Sequence, residues 1–104
     1  MIQIRTEDFE KEVINSEAPV VVEFTADWCG ICKRSEKMFS DAEKEFFDVK
    51  FCCVDIEKSK ELTAKYSVKG VPTTFVFVDG DIKSRKTGAL TKGNLYAMLG
   101  RKPH

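Results

Sequence analysis

Hydrophobic positions follow two different spacings along this chain. Continuous β-branched runs, such as 20–22, are typical of strands buried on both faces of a sheet. Elsewhere the hydrophobic residues recur at helical spacing, as do Met38, Phe39, Ala42 and Phe46, which indicates a long amphipathic helix that ends at about Phe47. The strand pattern is found at residues 2–4, 19–26, 49–54, 74–78 and 82–88.

Hydroxyl residues mark the predicted starts of the other helices. Thr6, Ser59 and Thr91 each precede a segment with helical spacing, and a hydroxyl at this position can accept a hydrogen bond from an unpaired N–H of the first turn. The helix after Ser59 is predicted to run through Tyr66, and the last helix to end at Gly100.

The order of these elements predicts an α/β fold. Strands that are separated by helices pair in parallel through crossovers, whereas the Asp79-Gly80 dipeptide predicts a tight hairpin and therefore an antiparallel last pair. We expect a central mixed five-stranded sheet flanked by four helices, folded as a single domain over residues 1–104.

The chemistry of the chain is concentrated in one motif, Trp28-Cys29-Gly30-Ile31-Cys32, at the junction of a buried strand and the long helix. The first turn of a helix has unpaired N–H groups and the positive end of the helix dipole, so it favours an anion. The anionic form of cysteine is the thiolate, which is also its reactive form. The motif therefore predicts redox chemistry.

Metal binding is the main alternative for these two thiols. A zinc site needs four ligands, but the sequence has no second C-x-x-C motif and its one histidine is His104. An iron–sulfur cluster shared between two chains would also use the pair. We expect no metal and no cofactor.

Composition and charge exclude several other classes of protein. The 17 basic and 17 acidic side chains cancel, which argues against a nucleic-acid partner. No segment has the length and hydrophobicity to span a membrane, and the N-terminal residues do not resemble a secretory signal. Four cysteines in this arrangement do not suggest a disulfide scaffold, so we expect a reducing compartment, the cytoplasm.

With these residues in view, the sequence resembles the thioredoxin family over nearly its whole length. The resemblance rests on the cysteine motif together with 22–24, 26–33, 68–73 and 88–93, where Val71-Pro72-Thr73 precedes the predicted hairpin. It implies the thioredoxin fold and a monomeric, cytoplasmic protein disulfide reductase. Such a protein acts on disulfide-containing protein substrates and is itself reduced again by a thioredoxin reductase.

The resemblance and the position of the thiols together suggest a role for each residue of the motif. Cys29, at the mouth of the helix, would be the nucleophile, and the more buried Cys32 would resolve the mixed disulfide. Gly30 would allow a tight turn and the approach of a substrate backbone. Trp28 would offer a flat apolar contact, and Ile31 stands where the family usually has proline.

Further residues are implied by the resemblance alone. Pro72 would form a cis bond with Val71, which would turn backbone polar groups of Val71 toward a substrate groove. Gly88 and Ala89 would form the wall of that groove. Glu23 stands where the family usually carries a buried aspartate, and it would accept the proton of Cys32.

Two adjacent cysteines, Cys52 and Cys53, are predicted to be small buried residues that point to opposite faces of a strand. Cys53 occupies the place where many family members have a lysine near the buried acid. A third redox thiol at Cys53 is the alternative.

Two other functions remain open at this level. A binding module of the same fold could use the groove formed by Trp28, Pro72 and Gly88 without turnover. A disulfide oxidase or isomerase is the second alternative, because Ile31 departs from the usual motif of the reductases.

Overall fold

A computed structural model describes residues 1–101 and contains all five predicted strands. The predicted strand and helix bounds differ from the observed ones by one or a few residues. The strands are β1 (Ile2–Ile4), β2 (Val20–Thr25), β3 (Lys50–Asp55), β4 (Thr73–Val78) and β5 (Asp81–Thr87), and the α-helices are α1 (Gly30–Glu45), α2 (Lys60–Lys65) and α3 (Lys92–Leu99).

The strands form one mixed sheet in the order β1-β3-β2-β4-β5, which confirms the predicted fold class. Strand β3 pairs in parallel with both β1 and β2, and β4 pairs antiparallel with β2 and with β5. The turn between β4 and β5 contains Asp79 and Gly80, both with positive φ, as a tight hairpin of this kind requires. Strand β2, which leads into the cysteine motif, therefore lies in the middle of the sheet.

The N-terminal helix predicted from the sequence is present as two short segments of different helical type. The chain forms a 3₁₀ turn at Thr6–Asp8 and a π-helical turn at Glu10–Ile14. Thr6 is not the N-cap: that position belongs to Arg5, whose backbone N–H donates to Asp8 Oδ2 at 3.0 Å. The apolar residues of this segment pack against the sheet, where Phe9 and Val13 are buried.

Other predicted helix ends are confirmed. Thr91 caps α3 by accepting a hydrogen bond from the Asn94 N–H at 3.1 Å, and Gly100 ends it in the left-handed conformation with φ of 69°. Ser59 holds the N-cap position of α2, although its buried hydroxyl makes no hydrogen bond.

The two faces of the sheet carry separate hydrophobic clusters. On one face, Val22 and Phe24 pack with Cys52 and with the N-terminal helical turns. On the other face, Val21 packs against Phe39 of α1. Side chains alternate along a strand, so Glu23 and Cys53 lie on the face that α1 covers. Cys52 and Cys53 are thus buried on opposite faces, as predicted.

None of the helices within residues 1–101 is long and apolar enough to cross a membrane.

Candidate active site

Cys29 and Cys32 form a disulfide at the start of α1, with their Cα atoms 5.3 Å apart. Cys29 is the N-cap residue, and its Sγ accepts a hydrogen bond from the Cys32 N–H at 3.2 Å. The chain places Cys29 here because β2 ends at Thr25 and a short turn leads directly into the helix. The N-terminal end of α1 therefore directs a hydrogen-bond donor and the positive end of its dipole at the Cys29 sulfur.

The two cysteines differ in their access to solvent. In the disulfide form Cys29 is 6% exposed, whereas Cys32 is fully buried. Both pack with Ala26, and the partly buried side chains of Ile56 and Val71 border this cluster. An incoming sulfur atom therefore reaches Cys29 more readily than Cys32.

Trp28 lies beside the disulfide and is 68% exposed. Its indole N–H donates to Glu57 Oε1 at 2.5 Å, and the Glu57 N–H in turn donates to Asp55 Oδ1 at 2.8 Å. The sequence contains no local signal for this contact, because Glu57 is distant from Trp28 along the chain.

The other predicted groove residues come together at the edge of β4. The Val71–Pro72 peptide bond is cis, which confirms the expectation. The Gly88 N–H donates to the Pro72 carbonyl oxygen at 2.7 Å, so the end of β5 is held against the start of β4. Gly88 has φ of 100°, a backbone conformation that residues with a Cβ rarely adopt. The next residue, Ala89, is exposed.

Gly30 does not have the backbone role predicted for it. It is the first residue of α1, and its φ is not among the positive values in the described chain. A Cβ built at Gly30 would meet no heavy atom within 4 Å. The fold would therefore accept alanine there.

Ile31 is 51% exposed at the first turn of α1. The N–H that reaches the Cys29 sulfur is that of Cys32. The side chain of Ile31 contributes an apolar surface next to the disulfide.

Glu23 is fully buried in the centre of β2. Its neighbours across the sheet are Cys53 on β3 and Thr74 on β4, and neither carboxyl oxygen has a hydrogen-bond partner within the protein. Burial, together with the negative charge of Glu36 on α1, raises the pKa of Glu23 to about 8. At neutral pH the carboxyl is therefore mostly protonated, and it can exchange a proton near the pH at which the cell works.

The two remaining cysteines are poorly placed for redox reactions. Burial raises the pKa of the Cys52 thiol to about 11. Burial, with the charges of Glu23 and Glu36, also raises the pKa of the Cys53 thiol to about 11. Both are thiols rather than thiolates at neutral pH, which favours the interpretation of Cys53 as a buried structural residue over a third redox thiol.

Within the described residues, no group of three or more histidine, cysteine or acidic side chains is arranged to hold a metal ion. His104 lies outside the described residues.

Comparison with known proteins agrees with this geometry. The family model named Thioredoxin matches residues 1–101. Thioredoxin of Pseudomonas aeruginosa is 32% identical over 100 residues, which cover 95% of this chain and 93% of that protein. Thioredoxin of Acidithiobacillus ferridurans is 31% identical over 100 residues, covering 95% and 93%. Mitochondrial thioredoxin of Mus musculus is 40% identical over 96 residues, which cover 88% of this chain and 56% of that protein.

Proposed function

This chain belongs to the thioredoxin family of redox proteins with a reactive cysteine pair, and we propose that it reduces disulfides of protein substrates. The observation that carries the proposal is the Cys29–Cys32 disulfide at the start of α1, which joins one sulfur near the surface to one that is buried. The two sulfurs of such a pair react in a fixed order. The exposed one reacts with the substrate first, and the buried one then completes the reaction within the protein.

In the first step, the Cys29 thiolate of the dithiol form attacks one sulfur of the substrate disulfide. A bond forms between Cys29 Sγ and that sulfur, and the other substrate sulfur leaves as a thiolate and takes a proton. The Cys32 N–H and the dipole of α1 stabilise the Cys29 thiolate before the attack.

In the second step, Cys32 resolves the mixed disulfide. Its thiol loses a proton to the Glu23 carboxylate, and the resulting thiolate attacks Cys29 Sγ. The Cys29–Cys32 disulfide forms and the remaining substrate sulfur leaves as a thiolate, so that the two electrons of the dithiol are now on the substrate. Because both sulfurs belong to one helix turn, this attack is intramolecular and fast.

A substrate segment docks on the surface next to Cys29. Trp28 and Ile31 offer exposed apolar area on one side, and Val71, Pro72, Gly88 and Ala89 form the other side. Gly30 presents no side chain between them, which lets a substrate backbone come close to the disulfide.

The oxidised protein returns to the dithiol through a thioredoxin reductase, and we place the whole cycle in the cytoplasm. The protein acts as a monomer and as a single domain over residues 1–104, without a cofactor or metal of its own. The similarity of the chain to bacterial thioredoxins over nearly their full length supports this proposal.

The proposal is tested by reduction of insulin with dithiothreitol as electron donor. The parent protein should accelerate the reduction, Cys29→Ser should abolish the acceleration, and Cys32→Ser should accumulate a mixed disulfide with the substrate. A parent protein without activity that still binds oxidised peptides would indicate a binding module. Oxidation of reduced peptides in preference to reduction, measured against a glutathione buffer, would indicate an oxidase or isomerase.

A further inference from the structure

Two cavities lie beside the strand neighbour of the buried Glu23. A cavity of about 340 Å³ lies outside Cys53, the neighbour of Glu23 on β3, and a second one of about 160 Å³ adjoins it. Both cavities are lined by Cys53, Gln3 and Glu36. These cavities therefore reach the residue that pairs with Glu23 in the sheet.

Glu36 of α1 lines both of these cavities. It lies one helical turn after Cys32, so the two side chains share a face of the helix. Glu36 is itself exposed, and its charge acts on both Glu23 and the Cys53 thiol. Glu36 therefore lies on the wall of both cavities, one helical turn from the thiol whose proton Glu23 is to take.

The other groups around Glu23 have different positions. Strand β4 presents Thr74, which does not ionise, and β3 presents Cys53 followed by Asp55. The larger cavity is also lined by Lys33 of α1, Asp27 and Asp55, and the N-terminal amine next to β1 acts on Cys53. The charge that acts on Glu23 itself, apart from the effect of burial, is that of Glu36.

We propose that Glu36 is a positioning residue for the proton transfer: from the wall of both cavities its side chain acts on the buried Glu23 carboxyl and thereby governs the step that deprotonates Cys32. A negative charge at the cavity makes the Glu23 carboxylate harder to form, and it makes that carboxylate a stronger base once it has formed. The inference rests on the function proposed above, and it names a residue that controls the second step, in which Cys32 resolves the mixed disulfide.

The test compares Glu36→Gln with two matched variants. Asp41→Asn removes the same charge from an exposed position of the same helix, and Glu36→Asp keeps the charge at the cavity. For each protein, NMR follows the titration of the Glu23 carboxyl in the oxidised form, and stopped-flow kinetics follow release of the second substrate thiol as a function of pH.

Glu36→Gln should move the Glu23 titration and the acid limb of the rate profile to lower pH by about half a unit or more. Glu36→Asp and Asp41→Asn should leave both near the parent values. In a Glu23→Gln background, the substitution of Glu36 should no longer change the pH profile of the residual rate.

The proposal is overturned if Glu36→Gln leaves the Glu23 titration in place or moves it no further than Asp41→Asn does. It is also overturned if the effect on the rate profile persists without Glu23. If the parent protein reduces no disulfide at any pH, the proposed function fails, and the NMR titration still decides whether Glu36 controls Glu23.

Discussion

Replacing Glu23 by glutamine should stabilise the protein, and should do so increasingly as the pH rises. The carboxyl is fully buried without a hydrogen-bond partner in the protein, and its pKa is raised from 4.5 to about 8, mainly by burial. Glutamine has nearly the same shape but cannot ionise. The substitution therefore removes the cost of burying an ionisable group while it leaves the packing nearly unchanged.

The sign and the size follow from the difference in proton binding between the folded and unfolded states. Below pH 4.5 both states hold the proton, so the contribution of Glu23 does not depend on pH. Between 4.5 and about 8 the unfolded state has lost the proton and the folded state keeps it, so stability falls as pH rises. At about 1.4 kcal/mol per unit, the loss is about 3 kcal/mol at pH 7 and approaches about 5 kcal/mol above pH 8.

The assay is urea unfolding of the oxidised proteins at acid, neutral and alkaline pH. Glu23→Gln should match the parent near pH 4, within about 0.5 kcal/mol, and exceed it by roughly 3 kcal/mol at pH 7. Glu61→Gln, at an exposed position of α2, serves as the control and should change stability by less than about 0.5 kcal/mol at each pH. A gain that is the same at all three pH values, or a loss of stability at alkaline pH, would refute this reasoning.

Three other substitutions test the surroundings of the disulfide. Gly30→Ala should leave the urea midpoint unchanged or slightly higher, because a Cβ there meets no atom within 4 Å, while insulin reduction should slow if substrate backbone passes over this residue. Gly88→Ala should lower stability by about 1 kcal/mol or more, since its φ of 100° disfavours a side chain, and an unchanged midpoint would contradict this. Ile31→Pro should lower the reduction potential, measured against glutathione, because proline stiffens the first turn of α1. A shift of about 30 mV corresponds to roughly 1.4 kcal/mol. An unchanged or higher potential would show that residue 31 does not set the potential.

The parts of the fold that the sequence predicted correctly are those with local causes. The Asp79-Gly80 hairpin depends on two adjacent residues with positive φ, and the start of α3 depends on a reciprocal pair of hydrogen bonds between Thr91 and Asn94. The position of the cysteines at a helix start followed from the change of hydrophobic spacing after β2. In each of these cases, the residues that determine the structure are neighbours in the chain.

The features that the sequence did not predict depend on contacts and backbone conformations that the spacing of residues does not contain. The hydroxyl of Thr6 suggested an N-cap, but Asp8 binds the backbone of Arg5 and the segment closes as a 3₁₀ turn followed by a π-helical turn. Glu57 binds Trp28 from a distant part of the chain. Gly30 was assigned to a tight turn because glycine permits one, yet the backbone at this position is helical.

Glu23 connects the stability of this fold to its proposed chemistry. The sheet places Cys53 and Thr74 beside it, and the charge acting on it from α1 is negative, so the folded protein keeps the carboxyl mostly neutral at pH 7. A neutral carboxyl fits a buried site without a partner, but only its ionised form can take the proton of Cys32. The same burial that lowers the stability of the fold above pH 4.5 thus brings the pKa of the base close to the working pH, where a general base is most effective. Glutamine at this position would yield a more stable protein that lacks the proton acceptor, which is the trade-off expected when a functional group is buried in the core.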